Sequence, residues 1–350
     1  MYSIKPVHAA MATLTISIGL VTTNTAAFSP QSEEKTAPDP RLIASAALPG
    51  YTHSIEVVGS YAYVGYRGGM RIFDIRKPAS PIALGTLETG RYVNEIKIVG
   101  GTAYLAGSFN GLQIADVKNP LNPTLIGSYG DIGEVTGIDV VGTTVYTSGG
   151  GYGLTTFDVS DPTSPKLLGK RDMQQSAPYV QIVGTTAFVS DRRTGLVAFD
   201  VRETKHARDL SSTRTADEAF GFEVQGNYAY IGDQDSGLTI MNVSEPRWPE
   251  YITTFELPGF AYSVDVVGTK VYVADSDAGI YVIDVTDPTQ PRMVDHVDTP
   301  DRAFEICVVG RYGYVADGHN GLQVIDFSAT AHPQSHTITD SHAQLNTHSN

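Results

Sequence analysis

Apolar and polar residues alternate along this chain in short runs, and the runs return at a fixed interval. A β-branched stretch ending in glycine occurs as VVG at Gly59, IVG at Gly100, VVG at Gly142, IVG at Gly184, VQG at Gly226, and VVG at Gly268 and Gly310, spaced by 42 residues with one interval of 41. A second landmark keeps the same register. The aspartate of an FDI, ADV, FDV, IDV or IDF triplet stands at Asp74, Asp116, Asp158, Asp200, Asp284 and Asp326, and Asn242 fills the remaining slot. Two independent landmarks in one register define seven repeats of about 42 residues.

Within a unit, period-two alternation and β-branched content predict four strands, which in the second unit are residues 95–99, 102–106, 112–117 and 124–128. No stretch carries a convincing helical period. A proline-bearing turn separates the third and fourth strands, as in NPLNP at 119–123, DPTSP at 161–165 and DPTQP at 287–291. Proline presets such a turn and cannot enter the ladder. Four strands repeated seven times predict an all-β, seven-bladed β-propeller with four antiparallel strands per blade. The last unit stops after its third strand, at 326–328, whereas RLIASAAL at 41–48 is an orphan fourth strand. Pairing the two would remove both free edges and close the ring in the last blade. The propeller is therefore expected over 41–328.

The flanking segments read differently. Lys5 and His8 precede an apolar run from Ala9 to Val21, and Thr25-Ala26-Ala27 offers small residues for cleavage, so 1–27 has the form of a secretory signal peptide. The run is short and diluted by Thr13, Thr15 and Ser17, so no transmembrane segment is expected once the signal is removed, the alternative being an uncleaved anchor. Residues 28–40 read as a polar linker, and 329–350 as a disordered tail.

Composition narrows the partners. With 41% hydrophobic residues, 19 Tyr and 12 Phe, the chain can build a sizeable core. A formal charge of −14 opposes a nucleic-acid partner, which calls for a clustered basic surface. The single cysteine, Cys307, excludes an intrachain disulfide and a thiolate metal cluster.

The segments GLQVIDF at 321–327, GIYVIDV at 279–285 and GLQIADV at 111–117, with the DPxxP turns, resemble the LVIVD-repeat family of bacterial and archaeal surface propellers over roughly 41–328. The resemblance implies a propeller displayed at or beyond the cell surface, and it is nearly silent on chemistry. Two departures stand out: VRETKHARDL at 201–210 replaces the DPxxP turn in the fourth unit, and the fifth has Asn242 for Asp.

Motifs for nucleophilic, zinc or phosphate chemistry are absent, so a site must be sought by position. In a propeller the first strand of each blade lines the central channel, and the loop leading into it shares a face with the loop between second and third strands. Residues that vary between repeats on that face are free of structural duty. Three positions before each glycine the chain reads Glu56, Lys97, Asp139, Gln181, Glu223, Asp265 and Cys307, a mostly polar series flanked almost throughout by Ile and Val. It is read as a water-filled channel of hydrogen-bonded carboxylates or as a seat for a cation or basic ligand.

Lead-in loops place Tyr51 and His53, Arg91, Tyr92 and Glu95, and Arg302 and Glu305 on the mouth face. Hairpins on that face add Tyr66, Arg67, Tyr152, Arg192, Arg193 and His319, while Phe220, Tyr262 and Phe304 take the slot that holds His53 in the first unit. Arginine with aromatics is the composition of binding hot spots. These residues predict a binder of an unknown small molecule, glycan or protein, with anionic groups favoured by the arginines. The rival functions are an enzyme (lyase, hydrolase or isomerase) using His53 as acid or base on the same face, and a structural surface-layer module. No cofactor is expected. Asp233-Gln-Asp235 and Asp275-Ser-Asp277 before glycine are half of a calcium loop, to be weighed against hairpin aspartates that bond their own backbone.

Overall fold

The structure, a computed structural model, describes residue 39 and residues 41–150, 153–173 and 176–328. The expected signal peptide, all of the linker but residue 39, and the tail lie outside them.

The chain starts with β1 (Leu42–Ala46). Next come β2 (Thr52–Val58), β3 (Tyr61–Asp74), β4 (Ile82–Val99), β5 (Thr102–Gly107), β6 (Gly111–Asp116) and β7 (Thr124–Tyr129), which form one six-stranded sheet in that order. Four-stranded sheets follow from β8 (Gly137–Val141), β9 (Thr144–Ser148), β10 (Leu154–Asp158) and β11 (Lys166–Arg171), then β12 (Val180–Val183), β13 (Thr186–Asp191), β14 (Gly195–Asp200) and β15 (Arg208–Thr213). Two more are β16 (Phe222–Gln225), β17 (Tyr228–Gly232), β18 (Leu238–Asn242) and β19 (Glu250–Phe255), and β20 (Ser263–Val267), β21 (Lys270–Ala274), β22 (Ile280–Asp284) and β23 (Arg292–Val297). The last sheet joins β24 (Ala303–Val309), β25 (Tyr312–Asp317) and β26 (Leu322–Asp326) to β1.

The expectation of seven separate blades is thereby corrected. Counted by continuous sheets, the propeller has six blades, five of four antiparallel strands and one of six that holds the first two repeats. The reason lies in β3 and β4, each of which serves two pairings. β3 pairs with β2 through Tyr61–Tyr66 and with β4 through Arg67–Asp74, and β4 then continues through Gly90, where φ is +75°, to pair with β5. Later repeats leave their sheet through a loop of several residues outside any strand, such as 130–136 between β7 and β8.

Both sequence landmarks have a backbone cause. The seven turn glycines from Gly59 to Gly310 all sit at φ between +57° and +66°, with nothing within 4 Å of an added Cβ, so left-handed backbone and not space demands them. Each triplet acid accepts the N–H two residues on, as Asp74 does from Arg76 at 3.0 Å and Asp284 from Thr286 at 2.8 Å. Asn242 substitutes because its amide oxygen accepts the same bond from Ser244 at 3.0 Å.

β1 pairs antiparallel with β26, from Leu42↔Ile325 to Ala46↔Leu322. Buried Arg41 anchors this strand, its guanidinium bonding Asp39, Asp295 and the carbonyl of His296. The apolar core lies between neighbouring sheets. At the closing seam Ile55, Val64 and Phe73 of the first sheet meet Tyr314, Leu322 and Val324 of the last.

Candidate functional site

All seven residues of the polar series line one cavity of about 290 Å³ between the inner strands. Glu95, Tyr179, Ser263 and Glu305, each two residues nearer the mouth than a member of the series, line it as well. Where that upper layer carries glycine, at Gly137 and Gly221, an added Cβ would lie within 3 Å of the neighbouring strand, at Tyr179 Cα and Ser263 Cα.

The acids hold the strands together. Glu95 accepts the N–H of Ile138 and Asp139 that of Ile182, both at 2.6 Å, Gln181 that of Val224 at 2.7 Å, Glu223 that of Val266 at 2.6 Å and Asp265 that of Val308 at 2.5 Å. Glu305 accepts the N–H of Ile55 at 2.9 Å and staples the closing seam. Each bond runs from one repeat to the next. Between the first and second repeats, which share a sheet, Lys97 instead places its ammonium 3.9 Å from Glu56 and 3.6 Å from Glu95.

Six carboxyls and one lysine thus face a single cavity, where desolvation disfavours the charged forms of Glu56, Glu95, Glu223, Asp265 and Glu305. Burial pushes the Glu95 carboxyl up to about 8, against the pull of Lys97. Burial and the charge of Asp265 push Glu223 up to about 7, and Glu223 hydrogen-bonds Asp265. Glu305 is driven well above the carboxylate range by burial and by Glu95. Lys97 keeps its proton more firmly than usual, because the surrounding carboxylates outweigh its own burial.

Above the channel, the mouth residues form one contiguous row. The guanidinium of exposed Arg192 lies 4.4 Å from the ring of Phe220, Phe220 meets Tyr262 edge-on at 5.0 Å, and Tyr262 meets Phe304 at 4.7 Å. Phe304 stacks on His53 at 5.0 Å and meets Tyr51 at 5.2 Å, and Tyr51 meets the exposed ring of His319 at 4.6 Å. Arg302 stands beside Tyr51 but is engaged by Asp277 at 3.1 Å. Burial lowers the His53 pKa, against a hydrogen bond with the Asn94 backbone; its Nδ1 is shut from solvent and has no hydrogen-bond partner.

The remaining candidates fall elsewhere. Tyr66 is buried, donates to Glu88 at 3.2 Å and has its hydroxyl pushed up to about 12. Arg67 lies over Tyr92 and Arg91 over Phe109, forming two separate pairs on the six-stranded sheet. Glu95 and Glu305 belong to the channel wall, and Tyr152 lies outside the described residues. Sequence reasoning missed Phe260, packed 4.6 Å from Tyr262, and missed Tyr179 and Ser263 in the channel. Counting back two residues from the polar series would have found the latter pair.

The hairpin aspartates turn inward. Asp233 accepts the N–H groups of Ala216 and Asp217 at 2.8 and 3.1 Å, and Asp275 that of Gly259 at 2.9 Å, so each clamps the loop leading into its own sheet. Among the described residues no group of three or more His, Cys, Asp or Glu converges as a metal site would require.

Comparison with known proteins adds the family. The model described as the LVIVD repeat matches residues 49–89, 90–131, 132–172, 218–255, 258–299 and 302–340. The interval 173–217 holds the unit with VRETKHARDL, whose strands β12 to β15 nevertheless form a complete sheet. No curated protein matches the chain. Among solved structures, the crystal structure of the computationally designed Ika8 protein is similar at a TM-score of 0.62 and 8% identity, covering 83% of this chain and 100% of that one. At that identity the likeness is one of fold alone.

Proposed function

This chain belongs to the LVIVD-repeat family, and from that premise we propose that it is a secreted propeller that binds a small ligand across the aromatic row of its mouth. The repeat supplies the scaffold, so specificity has to come from residues that differ between repeats. The observation that carries the reading is the unbroken run of contacts from Arg192 through Phe220, Tyr262 and Phe304 to Tyr51 and His319. Aromatic rings supply apolar contact area at low entropic cost, and Arg192, which makes no ion pair among the described residues, adds a free cation at one end. Such a surface suits a ligand with a planar or apolar body and an anionic group. Secretion is supported by the apolar run and small residues before Phe28. No helix among the described residues is long and apolar enough to cross a membrane.

A planar aromatic anion, 8-anilinonaphthalene-1-sulfonate, is the probe. Native protein should bind it saturably. Tyr262→Ala and Arg192→Ala should each weaken binding roughly fivefold, the equivalent of about 1 kcal/mol. Trp248→Ala, at the most exposed large apolar side chain, should not. Binding unaffected by the first two variants, or lost in the third, would overturn the reading. Fractionation of the native host, with mass analysis of the mature N-terminus, tests secretion.

A further inference from the structure

The central channel carries its own site, separate from the aromatic row. Of its six carboxyls, Glu56 and Glu95 are served by Lys97. Among the described residues, Glu223 and Asp265 have no lysine or arginine nitrogen within 4 Å; they sit side by side on the inner strands β16 and β20, and Glu223 hydrogen-bonds Asp265. Next to them lies Ser263, only 3% exposed, a lining residue of the same cavity whose hydroxyl is shut from solvent and has no hydrogen-bond partner. Buried hydroxyls are rarely left unpaired without something to meet them. A protein wall on which carboxyls outnumber the single Lys97 also focuses the field on a cation that enters.

The chemistry of that cation follows from the geometry. Its neighbour Lys97 shows that this channel accommodates an alkylammonium among its carboxylates. A bare metal ion would need several oxygens converging at about 2.0–2.6 Å, and among the described residues no such cluster occurs. A space of about 290 Å³ exceeds what an ion needs and suits a small organic molecule. We propose that the channel binds a primary organic ammonium, its N–H groups donated to Glu223, Asp265 and Ser263 Oγ. None of these residues belongs to the aromatic row, so this site stands or falls without it.

The test uses n-butylammonium chloride as probe and butan-1-ol as its neutral counterpart, with ionic strength held equal by sodium chloride. Butylammonium should raise the melting temperature of the full chain saturably, as any ligand of the native state does, and butan-1-ol should not. Asp265→Asn should weaken butylammonium binding about tenfold and Ser263→Ala about threefold, the ranges of charged and neutral hydrogen bonds. Asparagine keeps an acceptor for the Val308 N–H, and the Ser263 hydroxyl holds no bond to lose, so both variants should fold. Tyr262→Ala should leave this affinity unchanged. Equal shifts with butan-1-ol, parental affinity in Asp265→Asn, or a shift with calcium chloride but none with butylammonium would overturn the proposal.

Discussion

On the channel wall, Gln181 accepts the N–H of Val224 on the next inner strand, and its neighbours in the ring do the same for theirs. At the mouth, a few residues away along those strands, Tyr262 makes its ring contacts with Phe220, Phe260 and Phe304. A wall position recurs in every repeat, and most of its side chains join one repeat to the next. The mouth slot changes residue type around the ring, from His53 to Phe220, Tyr262 and Phe304, and its side chains pack on one another. Side chains that satisfy another strand's backbone are constrained by folding, whereas those that meet only other side chains are open to selection by a ligand.

The largest effect should come from cutting the closure that the wall depends on. Deleting residues 39–48 removes β1 and Arg41 and exposes the edge of β26. Severe loss of melting temperature or aggregation is expected, read by calorimetry and light scattering; a variant as stable as the parent would show that the wall holds the ring alone.

Next in size is the response to pH. The folded-state values of about 8 for Glu95, 7 for Glu223 and Asp275 and 6 for Asp317 lie above those of the unfolded chain. The native state then binds more protons than the unfolded one, so the stabilisation is complete below about pH 4 and is lost as pH rises through 6 to 8. The melting temperature should fall by on the order of 5–10 °C between pH 5 and pH 8.5, and Glu95→Gln should flatten that slope.

Smaller still is a direct contrast of the two regions. Gln181→Ala leaves the Val224 N–H without its acceptor and should cost about 1–3 kcal/mol. Arg192→Ala removes one exposed cation–π contact and should cost under about 1 kcal/mol. Chemical denaturation measures both; equal costs would erase the distinction between wall and mouth. The smallest effect expected is that of calcium. Millimolar calcium against a chelator should move the melting temperature by less than about 1 °C, because the inward aspartates Asp233 and Asp275 already hold backbone N–H groups.

The repeat, its turns and the strand that completes the last sheet were legible in the sequence, because each rests on a local requirement. A left-handed turn demands Gly59 and its six counterparts, an acceptor two residues back demands Asp74 or Asn242, and a third strand without a fourth leaves an edge that 41–48 can cover. The polar series was legible too, because period two separates it from its Ile and Val neighbours. Other features were decided only by the tertiary structure. Whether the first two repeats part or share a sheet depends on β4 pairing with β3 before Gly90 and with β5 after it, which the repeat length does not encode. That Glu95 and Glu305 serve the wall and not the mouth depends on where the next strand's N–H falls. The stretch from Arg192 to Phe304 joins side chains of successive repeats, whereas Tyr51 and His53 of the first repeat meet Phe304 and His319 of the last only because the ring closes.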